Sequence, residues 1–349
     1  MSTRSRRICY GEVVPFMVMT FLQCGQVGLS TLFKKASRDG MSYMVFILYS
    51  YTIAGLVLLP FSLLFERNKK LPRLNKQIIG RFILLGFLGY VTQMLGFKGI
   101  EYSSPTMASS MSNLTPAITF ALAVLFRMEK VDIGSLSSRA KILGTLLSIT
   151  GALVVVLYEG PTVIRTSMNS GLSSPSSYQS LNSEHSNWVI GGLLLIGDYI
   201  LFSTQAVQEF PELLLVSIYN LIVAVIAAPF TIIAEPHISA WTMSSKMMTI
   251  VIAYNGLFGS SFATVLLTWG LHVKGPVYVA LFTPFSIVIA AVMSVIFLGD
   301  SLYLGTVIGA VIMSLGFYLC IWGKAKEEQT EEEEFSFDSG HAQRAPLLQ

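Results

Sequence analysis

Charge is what this chain has least of. Lys, Arg, Asp and Glu make up 12% of its 349 residues, against about 25% in an ordinary soluble domain. That deficit excludes a conventional cytosolic enzyme. Cysteine is nearly absent as well: Cys9, Cys24 and Cys320 lie far apart, with no CxxC pair and no His cluster. Neither a disulfide framework nor a metal site is expected from them. The net charge of +3 comes without a basic stripe of the kind that neutralises phosphates, so nucleic acid is not an expected partner. No HExxH, GxSxG, P-loop or potassium-filter string occurs either, which leaves hydrolases, ATP-driven pumps and such channels without support. No cofactor is implied.

What is present is apolar length. Hydrophobic residues account for 53% of the chain, and a bilayer core about 30 Å thick needs around 20 of them per helix. Windows of that size predict spans at 13–33, 43–65, 79–100, 103–126, 142–159, 188–208, 212–234, 249–272, 276–298 and 303–323. The first run is too long for the apolar region of a secretory signal and lacks a convincing cleavage site, so it is expected to remain as span 1. The fold class is therefore an all-α polytopic membrane protein with ten transmembrane helices.

The Lys and Arg residues orient these spans. With the N-terminus in the cytosol, only Lys34, Lys35, Arg38, Lys98, Arg165 and Lys246 fall outside, leaving 17 of the 23 inside. Both termini are then cytosolic. Residues 160–187 carry nine serines between Pro161 and Asn187 and read as a non-cytosolic linker without a core.

Internal similarity sets the architecture. Pro105 to Glu129 and Pro276 to Asp300 are both separations of 24 residues, and each brackets a Thr-Pro, Thr115-Pro116 or Thr283-Pro284. Gly86-x-x-Gly89 matches Gly256-x-x-Gly259, and Gly144-x6-Gly151 matches Gly309-x6-Gly316. Tyr49 to Pro60 and Tyr219 to Pro229 extend the likeness. A unit of five spans ends on the side opposite its start, so its second copy must be inverted, the arrangement found in alternating-access carriers. The domains are thus 1–12, a cytosolic N-terminus; 13–159, the first repeat; 160–187, the linker; 188–323, the second repeat; and 324–349, an acidic cytosolic tail.

Polar side chains at membrane depth are costly and tend to face a cavity or another helix. Helical spacing places Gln23 and Gln26 on one side of span 1, Gln93 beside the glycines of span 3, and Asn113 on one face of span 4 with Pro116. Asp198 and Gln205 share a side of span 6, and Asn255 heads the polar face of span 8. These are the candidate substrate-binding residues, Pro116 through the backbone carbonyl it frees four residues earlier. Interhelical hydrogen bonding is the competing role for all of them. Asp198 is the one acid placed well inside a span, where it can couple transport to protons, pair with a substrate ammonium, or simply be hydrogen-bonded near a helix end.

The strings Gly28-Leu-Ser-Thr-Leu-Phe-Lys34, Ile100-Glu-Tyr-Ser-Ser-Pro105, Met111-Ser-Asn-Leu-Thr-Pro116, Lys274-Gly-Pro-Val-Tyr-Val-Ala280 and Phe297-Leu-Gly-Asp-Ser-Leu-Tyr-Leu-Gly305 resemble the plant walls-are-thin-related proteins, the nodulin-like EamA branch of the drug/metabolite transporters. The likeness runs from about residue 9 to 326. It implies two EamA repeats and the movement of small organic solutes, usually amino acids, with an auxin-like compound as the best-known exception. The sequence departs from the pattern where Phe210-Pro211 follows Asp198 by only twelve residues, a segment short by over a turn. Three functions follow: a carrier of amino acids or related solutes, a carrier of an indole-type acid or other plant metabolite, and a transport-deficient scaffold or receptor. The membrane would be the plasma membrane or the vacuolar one, Pro346-Leu347-Leu348 resembling a dileucine sorting signal with Gln343 where an acid is usual. Oligomeric state is not legible.

Overall fold

The computed structural model describes residues 13–65, 76–127, 134–158, 160–164, 178–206, 213–242 and 245–342. Cys9, Ser176, the Phe210-Pro211 join and the dileucine-like end lie outside them. Among the described residues, ten helices are long and apolar enough to cross a membrane: α1 (Val14–Arg38), α2 (Tyr43–Phe65), α3 (Lys76–Tyr102), α4 (Pro105–Leu125), α5 (Leu136–Leu157), α6 (Tyr178–Ala206), α7 (Leu213–Ala234), α8 (Lys246–Gly275), α9 (Tyr278–Leu298) and α10 (Leu304–Ala342). Each predicted span has its helix. Two of them run on well beyond the predicted spans: α6 takes in the last ten residues of the expected linker, and α10 much of the tail. Nothing interrupts them, since neither Gly nor Pro occurs from Tyr178 to Ile190 or from Lys324 to Ser339, whereas Pro161, Gly171 and Pro175 precede α6.

The two repeats are interlaced rather than side by side. The most extensive helix pairs, α5 with α10, α2 with α7 and α3 with α6, each join one repeat to the other. Glycine makes the tightest of these crossings. A Cβ at Gly144 would lie 2.6 Å from the Gly316 carbonyl, and one at Gly151 would lie 2.9 Å from that of Gly309. The duplicated Gly-x6-Gly pairs therefore face one another, backbone to backbone. Gly99 and Gly191 do the same for α3 and α6, where a Cβ at Gly191 would come within 3.0 Å of the Gly99 carbonyl.

α4 and α9 are broken at matching places. A single 3-10 turn, Ser112–Leu114, precedes Thr115-Pro116, and α9 turns at Leu281 and Phe282 before Thr283-Pro284. In both, proline sits at the start of the resumed helix, where its missing N–H costs nothing. α8 is distorted by a π-helical stretch, Asn255–Phe262, inside which Ser261 Oγ donates to the Gly256 carbonyl at 2.7 Å.

One end of the molecule is tied shut. Phe33, Phe46 and Phe97 form a buried trio with ring centroids 4.6 to 4.9 Å apart. Beside it the buried Lys34 ammonium donates to the carbonyls of Ile100, Glu101 and Ser103 at the end of α3, groups a helix terminus leaves without internal partners. Arg38 bridges to Asp300 at 2.6 Å. The connection after α5 is pinned to this end by a two-stranded antiparallel ribbon, β1 (Thr162–Ile164) with β2 (Leu302–Tyr303).

Candidate functional site

Between the repeats lies a cavity of about 620 Å³, within the range of small-molecule sites. Its described lining comes from α1, α2 and α3 and from α6, α7 and α8, the first three helices of each repeat. The remaining helices form the frame, with α5 and α10 clasped together. The cavity ends at Ile100, next to the phenylalanine trio, and reaches Phe82 toward the other end of α3.

α1 brings Gln26 and Ser30 to this space, α3 brings Gln93, and α6 brings Asp198. Gly96 gives the acid its room, since a Cβ there would sit 2.8 Å from Asp198 Oδ2. Among the described residues no hydrogen bond or ion pair holds the Asp198 carboxylate. It shares the cavity lining with Tyr51 and Tyr199. Tyr199 is fixed by a 3.0 Å bond to the Ala108 carbonyl, and Tyr51 lines the cavity together with Ser260. Opposite, the π-helical stretch of α8 turns Asn255, Gly259 and Ser260 inward, in keeping with the association of such bulges with functional sites. Asn255 is 3% exposed, and its Nδ2 has no hydrogen-bond partner. Asn220 Nδ2 reaches the Ser260 carbonyl at 3.4 Å.

Of the candidate residues, Gln26, Gln93, Asn255 and Asp198 thus converge. Gln23 stands a turn earlier on α1, outside the lining, and the side chain of Gln205 lies outside the described residues. Asn113 and Pro116 do not line the cavity, because α4 belongs to the frame. The 3-10 turn at Ser112–Leu114 packs against α5 and α10, leaving Asn113 fully buried with neither amide atom partnered. The carbonyl that Pro116 frees, that of Ser112, is taken by Thr115 Oγ1 at 2.8 Å. The sequence reading missed Tyr51, Tyr199, Tyr219 and Asn220. The match of Tyr49–Pro60 to Tyr219–Pro229 was a pointer to α2 and α7, but a tyrosine in an apolar run does not announce a cavity.

With Phe82, Phe97 and Phe202, the tyrosines make six aromatic walls. None of the described lining residues is Lys, Arg or His, and Asp198 is the single acid among them.

A family model described as the EamA-like transporter family matches residues 16–157 and 187–322. Two WAT1-related proteins of Arabidopsis thaliana are 47% and 45% identical to the chain, over 91% and 92% of its length and 88% and 91% of theirs. A third is 42% identical, covering 99% of this chain and 98% of that relative. A solved crystal structure superposes with a TM-score of 0.52 at 16% identity, covering 86% of this chain and 97% of that one; this bears on the fold alone.

Proposed function

The chain belongs to the EamA-like transporter family, and from that premise we propose that it carries amino acids and related ammonium-bearing solutes by alternating access of its inverted halves. One observation supports this cargo above the others. A single cavity holds the Asp198 carboxyl, with no hydrogen bond to it among the described residues, and the amide donor of Asn255, whose Nδ2 has no partner. A zwitterion answers both, its ammonium at Asp198 and its carboxylate at Asn255, while the aromatic walls receive an apolar side chain. An auxin-like solute with only a carboxylate would meet an acid and no lining cation, an unfavourable pairing at low dielectric.

The test is uptake and exchange in vesicles with a radiolabelled panel of an aromatic amino acid, the corresponding amine and an indole acid. Asp198→Asn should lower exchange of the two amines by about tenfold or more, the worth of one charged hydrogen bond. Transport of the indole acid at the rate of the amino acid would overturn the cargo assignment. Intact exchange in the variant, with loss only of accumulation driven by a pH gradient, would instead make Asp198 the proton-coupling group.

A further inference from the structure

On the outside of the bundle, α9 and α10 leave a groove of about 540 Å³ between them. The corresponding helices of the first repeat are packed together, α4 on α5 along Thr115–Leu125, whereas the Thr283–Met293 stretch of α9 stands off α10. The walls are mainly aliphatic, with Phe317 and Tyr318 at one end, and Val288, Val311 and Leu315 are 65%, 56% and 56% exposed. At membrane depth that exposure is toward hydrocarbon.

Beside the groove, at the α9–α10 connection, lies a small chamber of about 10 Å³ whose walls include Thr106, Ser294 and Thr306, room for one water-sized group. Thr106, Ala291, Leu302 and Thr306 line both spaces, so the two adjoin at these residues. Thr306 is 2% exposed and its hydroxyl has no hydrogen-bond partner, a costly state for a buried polar group. Thr106 beside it donates to Ser294 Oγ at 3.2 Å. Asp300, the charged group of the chamber, is already bound by Arg38.

We propose that the groove binds a sterol, with its single hydroxyl at Thr306 and its rigid apolar body lying along α9 and α10. The chamber admits a hydroxyl and nothing larger. Its position where α10 enters the membrane is the polar boundary at which a sterol hydroxyl resides. From Thr306 to Tyr318 the groove follows α10 for about 18 Å, so it accommodates an elongated body. A diacyl phospholipid fits poorly: its head is too large for the chamber, and the nearby Arg38 is occupied by Asp300.

Photolabelling of the full chain in lipid nanodiscs with a photoreactive sterol tests this, and labelling needs no transport, so its failure leaves the cargo reading untouched. Label should fall on α9 or α10, with unlabelled sterol competing about fivefold better than its 3-O-methyl ether, the ratio one hydrogen bond supports. Val311→Trp, which fills the groove from an exposed position, should abolish labelling. Thr306→Val should retain labelling but weaken competition by the unlabelled free sterol about fivefold, the loss of one hydrogen bond. Equal competition by the ether in the wild type, labelling indifferent to Val311→Trp, or equal labelling by a diacyl phospholipid probe would each overturn the proposal. Crosslinking of two copies through these residues would do so too, giving the groove to a dimer.

Discussion

Gly96 shows how a missing side chain positions a charged one. With a Cβ only 2.8 Å from Asp198 Oδ2, Gly96→Ala would displace the carboxylate, although α3 itself gains up to about 1 kcal/mol in helix propensity. The expected protein is as abundant as the wild type and transports several-fold less in a radiotracer assay. Unchanged transport would show that the place of Asp198 in the cavity is immaterial. Asn113 is the converse case, a polar residue that the helical face marked as a candidate and the structure leaves buried without partners. An apolar replacement of similar size relieves a desolvated amide worth about 1–3 kcal/mol. Asn113→Leu should therefore raise the melting temperature and leave transport within about twofold, while a fall in melting temperature would mean the amide is satisfied. Helical spacing can place Asn113 on a face; which neighbour that face meets is decided by the 3-10 turn and the long-range packing.

The pairing of α5 with α10 carries most of the frame, and it depends on backbone approach. At Gly144 a side chain would strike the Gly316 carbonyl and the Cys320 backbone, 2.6 and 2.8 Å from its Cβ. Gly144→Leu should accordingly reduce the amount of folded protein recovered in detergent, read by size-exclusion chromatography. Gly80→Ala, with nothing within 4 Å of its Cβ, is the control that should leave recovery unchanged. Equal recovery of both would mean that the crossing can open without penalty. The duplicated Gly-x6-Gly was legible in the sequence as a repeat. Its two copies meeting each other was not, since spacing along one helix says nothing of its partner. The π-helical stretch of α8 was likewise invisible, although the glycines that permit it were noted.

At the scale of the molecule, the end holding Arg38 is closed by the phenylalanine trio, the Lys34 bonds and the Arg38–Asp300 bridge, while the cavity extends away from it. Alternating access requires this closure to open in another state. Arg38→Ala combined with Phe97→Ala removes a partly exposed ion pair of modest worth and a buried ring contact worth about 0.5–1.5 kcal/mol beyond its area. In a chain stripped of its native cysteines, a Cys at Gln26 should then react faster with an impermeant thiol reagent applied from the Arg38 side. No change in rate would place the barrier elsewhere. That side is expected to be non-cytosolic: tags at residue 2 and at the C-terminus should be accessible from the cytosol, and one at Ser176 should not. Protection of all three alike would contradict the inverted repeats.

Ten spans, their inverted duplication and the class of molecule were determined by the sequence alone, because apolar length, charge placement and repeated Gly and Pro spacing are local quantities that a bilayer reads directly. Which polar residues share a cavity was decided only by the tertiary structure. Gln26, Gln93, Asp198 and Asn255 come together because the first three helices of each repeat enclose a space while α4, α5, α9 and α10 frame it, and that division depends on contacts between residues about a hundred or more positions apart. Asn113, with the same chemistry and the same helical pattern, fell on the other side of it.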